Sequence, residues 1–331
     1  GATPYSSQGK EDQAVAMACY ESTKKSLCLQ CRLFVRLIDI FRAMHANSFP
    51  SYLRPERGSV KKRDSGDFQI VVDLIHTEEE QEKDRQFVTS LARGLELLRC
   101  FTPRDSMLSN LDLARKTGLP RPTVSRLTHT LARLGYLRPL PRGKYQLDVG
   151  VMSFGYSMIS NLPIRSVAQP LMVNLADEVG ATVAMSARDR LDMVYLDVVQ
   201  SALRSTIRRQ IGTRLPIHQS SAGRACLAAM PQEEAEVIME HIQQSHPDEW
   251  PDIRRALDGA FKEYAEYGYC LSMGDWQKKV NAVAVPLNHP QLGVLAFNCG
   301  GPEFQVSREK LEEFIGPRLV QMVNDINTQI S

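Results

Sequence analysis

Apolar residues from residue 87 onward recur every three or four positions, which is the spacing of one face of an α-helix. The stripe consists of Val88, Leu91, Leu95 and Leu98. It stops shortly before Pro103, a residue that cannot continue a helix. The pattern therefore predicts an amphipathic first helix that ends near residue 101.

Two further helices are predicted after it, joined by a short turn. Ser109 and Asp112 have the spacing of a capping box, which predicts a helix running to Lys116. Gly118 then stands where a helix C-terminal cap belongs. Pro122, at a first-turn position, predicts the start of a third helix. The predicted buried stripe of this third helix is Val124, Leu127, Leu131 and Leu134.

A β-hairpin is predicted directly after the third helix. Residues 137–140 and 145–147 read as short strands on either side of the turn Pro141-Arg-Gly-Lys144. Two helices joined by a tight glycine-containing turn and followed by a hairpin describe a winged helix-turn-helix. We assign this predicted domain to residues 85–147.

The region beyond the hairpin begins with two predicted helices. Residues 148–160 form a segment that is apolar on nearly all sides, so the helix must be buried, and a second subunit is the natural partner. Residues 148–162 are therefore assigned as a linker and dimerisation helix. The next helix is predicted over residues 163–179, interrupted at Pro170 and ended by Gly180.

Strands and helices then mix through residues 163–331. Strands are predicted at residues 182–186, 193–199, 206–209, 280–287 and 293–299. Helices are predicted at residues 221–230, 231–244, 251–267 and 307–330, the last kinked at Gly316-Pro317. Such mixing favours an α/β or α+β regulatory domain.

The composition fits a globular chain of more than one domain. It has 331 residues, of which 43% are hydrophobic and 24% charged, so wholesale disorder and collagen-like repeats are excluded. The longest candidate membrane segment, residues 33–41, is short and interrupted by Arg36 and Asp39, so no membrane partner is predicted. Seven dispersed cysteines favour a reduced, cytoplasmic protein. The first residue is Gly, which suggests a processing scar.

Residues 1–84 lack a sustained helical or strand period and are left as an unassigned, poorly patterned extension. Cys28 and Cys31 form a C-x-x-C pair there, with Cys19 and His45 as further possible ligands. A zinc site needs about four ligands, and no second pair stands at finger-like spacing. Unpaired thiols are favoured over zinc, and no metal site is predicted. The extension is either loosely ordered or foreign to the natural chain.

Charge distinguishes the predicted winged helix-turn-helix from the rest of the chain. Residues 113–147 contain no acidic residue and eight basic ones, although the whole chain carries a net charge of only +2. This polarised surface suits a phosphate backbone. The residues predicted to contact double-stranded DNA are Arg121, Pro122, Thr123, Ser125, Arg126 and His129 on the third helix, with Arg142 and Lys144 on the hairpin. The alternative is a solvated basic face on an ordinary helical bundle, which the turn, the capping box and the hairpin make less favoured.

Residues 85–331 resemble the IclR family of transcriptional regulators. The segments that carry the resemblance are Leu119-Pro-Arg-Pro-Thr-Val-Ser-Arg-Leu127, Val194-Tyr-Leu-Asp197, Gly212-Thr-Arg-Leu-Pro-Ile-His218, Ser220-Ser-Ala-Gly-Arg-Ala225, Ala282-Val-Ala-Val-Pro286 and Gly301-Pro302. The resemblance implies an α+β chain with an N-terminal winged helix-turn-helix and a C-terminal α/β effector-binding domain built on a curved, mainly antiparallel sheet. It also implies homodimers, often assembled as dimers of dimers.

The resemblance further implies that a small organic acid binds the concave face of this sheet. Its carboxylate would meet backbone amides at a helix start, which here places Ser221, Ala222 and Gly223 at the anion end. A small-residue helix N-terminus lets amides approach an anion closely. The alternative is that Ser221 serves only as a helix N-cap.

Several positions differ from the residues that the family often carries in its pocket. Leu271 stands in place of a common Asp, Asn281 in place of a Cys, and Asn298 and Gly300 in place of serines. The loss of a buried acceptor favours a larger, aromatic or branched acid over a small hydrophilic one such as glyoxylate. Two further residues, Met273 and Trp276, are candidates for a wall or a lid; Trp276 alternatively packs under its own loop.

Two other functions are alternatives to this one. An enzyme would need a catalytic motif, but residues 220–223 lack the G-x-S-x-G elbow, and the chain has no H-E-x-x-H pair and no G-x-x-x-x-G-K loop. No catalytic residue and no cofactor is predicted. An effector-free DNA-binding oligomer would keep the basic surface and lack a responsive pocket. The sequence-based hypothesis is an allosteric regulator of transcription, as repressor or activator.

Overall fold

The computed structural model describes residues 87–201 and 209–330. The unassigned extension of residues 1–84, with Cys28 and Cys31, lies outside the described residues. So does the predicted strand at residues 206–209, apart from Arg209, which is not in a strand.

The first part of the described chain is a small helical domain with a hairpin. Helix α1 (Thr89–Arg99) precedes a short strand β1 (Leu108–Ser109), helix α2 (Asn110–Thr117) and helix α3 (Arg121–Arg133). Strands β2 (Leu137–Leu140) and β3 (Lys144–Leu147) follow, and the three strands pair antiparallel in the order β1-β3-β2. The predicted winged helix-turn-helix architecture is confirmed.

The residues that were predicted to start and end these helices have the expected conformations and hydrogen bonds. The Ser109 hydroxyl accepts from the Asp112 amide, and the Asp112 carboxylate accepts from the Ser109 amide at 2.9 Å, so the capping box is complete. Gly118 ends α2 with φ 70°, a left-handed conformation that a glycine adopts without strain. Pro122 lies in the first turn of α3. These local rules position the turn between α2 and α3.

The predicted buried stripes were partly wrong. Leu134 is 63% exposed, and the fully buried Thr128 lies on the core side of α3, where its hydroxyl donates to the carbonyl of Val124. In α1 the core residue is Leu97, whereas Leu91 and Leu95 are exposed. Gly94 and Leu97 are the only buried residues of α1, so the helical spacing of its apolar residues overestimated the width of its buried face.

Helix α4 (Met152–Ser160) follows a short 3-10 turn (Val149–Val151). As predicted, this segment is apolar around most of its circumference, and within the single described chain its apolar side chains lie open to solvent. The exposed ones are Val149, Met152, Phe154, Tyr156 and Met158. Their burial therefore needs a surface outside this described chain.

The remaining described residues surround one sheet. Helix α5 (Ile164–Val179) leads to the hairpin β4 (Thr182–Asp189) and β5 (Asp192–Gln200), then to β6 (Arg214–Pro216). Three helices follow: α6 (Ser221–Ala229), α7 (Gln232–Ser245) and α8 (Trp250–Tyr267). Strands β7 (Cys270–Met273), β8 (Val280–His289) and β9 (Gly293–Pro302) complete the sheet. Helix α9 (Gly316–Ile330) closes the described chain after a helical turn (Arg308–Lys310) and a π-helical turn (Leu311–Ile315).

Among the described residues, six strands pair antiparallel in the order β6-β5-β4-β9-β8-β7. Helices cover both faces, and each face has its own apolar core. Side chains such as Val283, Val285 and Phe297 pack with α5 and α9, whereas Ala284 and Ala296 pack with α6, α7 and α8. The alternation of side chains along each strand divides the two cores, and it also decides which residues face the cavity described below.

The predicted interruption at Pro170 was wrong, because α5 runs through this residue without a break. The buried residues Ala168, Met172, Leu175 and Ala176 flank it and pack on the sheet. This packing outweighs the one backbone hydrogen bond that proline removes. The predicted kink at Gly316-Pro317 corresponds to the π-helical turn that ends at Ile315.

Candidate DNA-binding surface and effector cavity

Helix α3 presents most of the predicted DNA-binding side chains on its free face. Arg121, Pro122, Ser125, Arg126 and His129 are exposed, and Thr123 is half-buried. The buried Val124, Thr128 and Leu131 hold the opposite face against α1 and α2. Helix α3 therefore has the form of a recognition helix, with its N-terminal amides and side chains on the open side.

The hairpin tip lies beside the start of α2. Arg142, with φ 62°, and Gly143, with φ 69°, make the tight turn between β2 and β3. Arg142 and Lys144 are exposed there, and Lys144 pairs in register with Ser109. The β2–β3 hairpin, which is the wing of this domain, thus places two cations next to the helix-turn-helix.

The eight basic residues between positions 113 and 147 lie on the surface of this domain, where an anionic partner can reach them. All eight are exposed: Arg115, Lys116, Arg121, Arg126, Arg133, Arg138, Arg142 and Lys144. Lys116 pairs with Asp105 at 2.8 Å. The other seven form no ion pair with a carboxylate among the described residues. A group of exposed, unpaired cations on a small domain is the electrostatic footprint of a nucleic-acid surface.

A cavity lies on the α6 face of the large sheet, between β4, β5, β8 and β9. It encloses about 500 Å³, including the part open to solvent. Its lining residues are Thr182, Tyr195, Arg209, Leu215, Ser220, Ser221, Ser272, Trp276, Val280, Ala282, Asn298, Gly300 and Gly301. The lining includes one cation and no carboxylate, so it favours an anionic or polar ligand over a cation.

The N-terminus of α6 forms one wall of the cavity. Ser220, not Ser221, is the N-cap, and its hydroxyl accepts from the amide of Gly223 at 3.1 Å. Ser221 and Ala222 occupy the first turn, where backbone amides have no acceptor within the helix. The helix start therefore offers donors and a partial positive charge at the cavity edge.

Tyr195 and Asn298 form a buried polar pair on the sheet. The Asn298 side-chain nitrogen donates to the Tyr195 hydroxyl at 3.2 Å, and Asn298 Oδ1 has no hydrogen-bond partner. Burial raises the pKa of Tyr195, so its hydroxyl stays protonated. A buried amide with one unsatisfied atom is costly unless a ligand or water completes it.

Arg209 and Trp276 form another part of the cavity wall. The Arg209 guanidinium carbon lies 4.4 Å from the centre of the Trp276 ring, and Nη2 donates to Gln277 Oε1 at 2.7 Å. Burial lowers the pKa of Arg209, with the nearby Tyr195 acting in the opposite direction. The guanidinium stays charged because its ordinary pKa is so high.

The predicted effector residues divide into three groups. Ser221, Asn298, Gly300 and Trp276 line the cavity. Ala222 and Gly223 are buried in the first turn of α6 behind it, and a side chain at Gly223 would meet the Ile217 carbonyl oxygen at 2.0 Å. Leu271, Met273 and Asn281 do not line the cavity.

The expectation for Leu271 and Asn281 is corrected by the sheet. Leu271 packs in the core on the α5 and α9 face, and Asn281 donates to the Val306 carbonyl at 2.9 Å on that same side. Their neighbours Ser272 and Ala282 point into the cavity instead. A displacement of one residue along a strand moves a side chain to the other face.

Sequence reasoning missed Tyr195, Arg209, Ser220 and Ser272. Tyr195 and Ser220 stand inside segments quoted above, and Ser272 is one residue from Leu271. No motif or pattern in the sequence around Arg209 pointed to a ligand site. Only the fold brings it against Trp276.

Two family models match this arrangement. One, described as the IclR helix-turn-helix domain, covers residues 90–141, and the other, described as the bacterial transcriptional regulator IclR C-terminal domain, covers residues 156–331. The chain belongs to the IclR family.

Solved and characterised IclR proteins are similar over most of this chain. A crystal structure of an IclR family transcriptional regulator from Brucella abortus is 60% identical, with a TM-score of 0.74, and the match covers 79% of this chain and 98% of that one. The transcriptional regulator TsaQ1/TsaQ2 of Comamonas testosteroni is 35% identical over 76% of this chain and 91% of its own. An IclR homologue from Microbacterium hydrocarbonoxydans, crystallised with 4-hydroxybenzoate, is 22% identical with a TM-score of 0.52, covering 72% and 99%. The chain is accordingly a transcriptional regulator with a DNA-binding helix-turn-helix domain and a C-terminal ligand-binding domain.

Two further findings concern only the residues that the structure describes. None of their helices has the length and apolarity to cross a membrane. Nor do these residues bring three or more His, Cys, Asp or Glu side chains together in a metal-binding arrangement.

Proposed function

We propose that this IclR-family chain binds a specific pseudo-palindromic operator and that a small organic acid in the α6-face cavity modulates this binding. The observation that carries the proposal is the coexistence of two sites in one chain. One is a recognition helix whose exposed cations lack carboxylate partners among the described residues. The other is a cavity with one arginine, a helix N-terminus and no carboxylate.

On DNA, α3 lies in the major groove in this proposal. Arg121 and Arg126 are exposed side chains that suit bidentate contacts to guanine, and Thr123, Ser125 and His129 supplement them. Pro122 fixes the first turn of the helix. Arg142 and Lys144 on the wing contact the flanking phosphate backbone.

The proposed effector is an organic acid, possessing an aromatic ring, whose carboxylate meets the amides of Ser221 and Ala222. The indole of Trp276 offers such a ring an aromatic surface. The Microbacterium hydrocarbonoxydans homologue, with 4-hydroxybenzoate bound, supports this class of ligand. Binding would shift the equilibrium between subunit arrangements, which changes the fit of two recognition helices to two half-sites.

A homodimer is part of the proposal, with a dimer of dimers as the larger assembly. The exposed apolar residues of α1 and α4, including Leu91, Leu95, Met152 and Tyr156, form a surface that a second copy would bury. Two recognition helices would then meet half-sites about one turn of DNA, or a multiple of it, apart.

The test begins with selection of bound fragments from randomised duplex DNA by the wild-type chain and by a variant with Arg121→Ala and Arg126→Ala. Enrichment of a palindrome that the variant loses is the expected result. Equal enrichment by both proteins would contradict the assigned recognition face, and binding that depends only on salt would contradict sequence specificity. Repeating the selected binding with and without a panel of organic acids separates a responsive regulator from an effector-free DNA-binding oligomer.

A further inference from the structure

Arg209 is the unusual residue of the cavity. It is the one charged side chain that lines it, and burial disfavours its charge. Its polar contact to a described side chain is a single bond to a neutral amide, from Nη2 to Gln277. A guanidinium has five donors, so several remain open to a ligand or to solvent.

A second arginine near the cavity, Arg224, is buried and shows the contrast with the partly exposed Arg209. Arg224 donates to the carbonyls of His218 and Leu271 and pairs with Asp275 at 2.9 Å, and it does not line the cavity. Its charge is compensated within the protein. No carboxylate among the described residues lies within ion-pair distance of Arg209, and residues 202–208 beside it in the chain include no Asp or Glu.

The α6 N-terminus is a separate electropositive element on the same cavity. Its first-turn amides at Ser221 and Ala222 already suit one carboxylate. The unsatisfied Oδ1 of Asn298, a residue only 5% exposed, needs a donor and is an independent sign that a ligand or water occupies this cavity, separately from the acidic groups considered below. A ligand with a single acidic group at α6 would leave Arg209 partly desolvated and without an anion.

We infer that Arg209, held over Trp276, is a second anion subsite, and that the effector carries two acidic groups on one compact skeleton. This inference rests on the proposed function, because it names the chemical class of the acid. One acidic group binds the N-terminus of α6. The other accepts from the guanidinium, whose in-plane donors match a carboxylate while its face lies over the indole.

The experiment compares diacids with monoacids of the same skeleton. Binding of benzoate, phthalate, isophthalate, terephthalate, hexanoate and adipate to the full chain is measured by isothermal titration calorimetry. At least one diacid is expected to bind about tenfold or more tightly than its monoacid, because a charge-assisted pair is added. In Arg209→Gln this preference falls to about twofold or less, while monoacid affinity changes little.

Three further substitutions help to interpret the result. Arg209→Lys retains the charge and is expected to retain part of the diacid preference. Lys278→Gln removes an exposed cation two residues from Trp276 that does not line the cavity, and it is expected to change nothing beyond a general charge effect. The chain has two tryptophans, so Trp250→Phe leaves Trp276 as the single fluorescent reporter of ligand at this wall.

The outcomes separate the inference from the proposed function. Equal binding of diacid and monoacid, or a diacid preference that survives Arg209→Gln, overturns the second subsite and leaves an organic-acid effector in place. No binding by any acid of the panel overturns the effector proposal together with the inference. If Lys278→Gln reduced the diacid preference as much as Arg209→Gln does, the preference would come from the general electrostatic field of the protein. That result would overturn the role of Arg209.

Discussion

Arg99 in α1 donates from Nη1 to Oδ2 of Asp189 in β4 at 2.9 Å. One turn earlier in α1, Glu96 pairs with Arg190 at the tip of the same hairpin. Arg214 in β6 also donates to Asp189, at 2.6 Å. These ion pairs connect α1, the helix that packs on α3, to the end of the β4–β5 hairpin and to β6. Both belong to the sheet that carries the cavity.

We expect Asp189→Asn to lower the free energy of unfolding by about 1 kcal/mol near neutral pH, because one carboxylate serves two guanidinium groups. Burial alone would raise the pKa of Asp189, but hydrogen bonds from Arg99 and Arg214 outweigh it and lower the pKa below its ordinary value. The stabilisation is therefore present above the ordinary carboxyl pKa of about 4 and is lost as the pH falls through the lower folded value.

Urea denaturation from pH 7 down to 3.5 measures this effect. The difference between wild type and Asp189→Asn should stay constant to about pH 5 and shrink below about pH 4. Asp258→Asn, which breaks an exposed pair within α8, is the matched control and should cost less. A difference that grows toward low pH would contradict the assignment.

Gly223→Ala is expected to destabilise the protein by about 1–3 kcal/mol, because the added Cβ would overlap the Ile217 backbone. Gly259→Ala is the control, since this helical glycine of α8 has open space around its Cβ position. It should stabilise by up to about 1 kcal/mol. Denaturant midpoints of both variants test the pair, and similar destabilisation in both would refute the close approach at Gly223.

Arg126→Ala and Lys144→Ala should affect DNA binding differently. Loss of Arg126 is expected to cost about 1–3 kcal/mol on the selected operator and to relax base preference, because its side chain is exposed on the face of α3 that we propose enters the groove. Loss of Lys144 should weaken binding on all sequences and reduce the salt slope by about 1. Titrations on operator and scrambled DNA at several salt concentrations distinguish them. Unchanged operator preference in Arg126→Ala would mean that another face reads the bases.

Met152→Ser combined with Tyr156→Ser should weaken self-association by about tenfold or more, because both large side chains lie on one face of α4 and are exposed in the single chain. Phe304→Ser removes an 83% exposed aromatic elsewhere and serves as the control. Sedimentation velocity over a concentration series measures the effect. If Phe304→Ser weakened association as much as the double variant, α4 would not be the interface.

Much of the fold follows from local sequence. The capping box at Ser109, the left-handed Gly118 and the first-turn Pro122 act within a few residues of themselves, so the helix-turn-helix was predictable. The basic surface was equally predictable, because nearby exposed charges on one small domain cannot be far apart. Ser221 and Asn298 were found through the resemblance, and both line the cavity.

Tertiary structure alone decided which side chains meet. Strand register placed Leu271 and Asn281 on the opposite face of the sheet from the cavity. The alternation of side chains within one strand does not show which of its two faces will meet the cavity, because that depends on how the strand pairs with its neighbours. Contacts of Arg209 with Trp276, and of Arg99 with Asp189, join residues far apart in the chain. Local sequence therefore determined most of the helices, the longer strands and the charge of this protein. The pairing of strands and the packing of helices on both sheet faces determined its cavity, because these contacts exist only once the whole chain has folded.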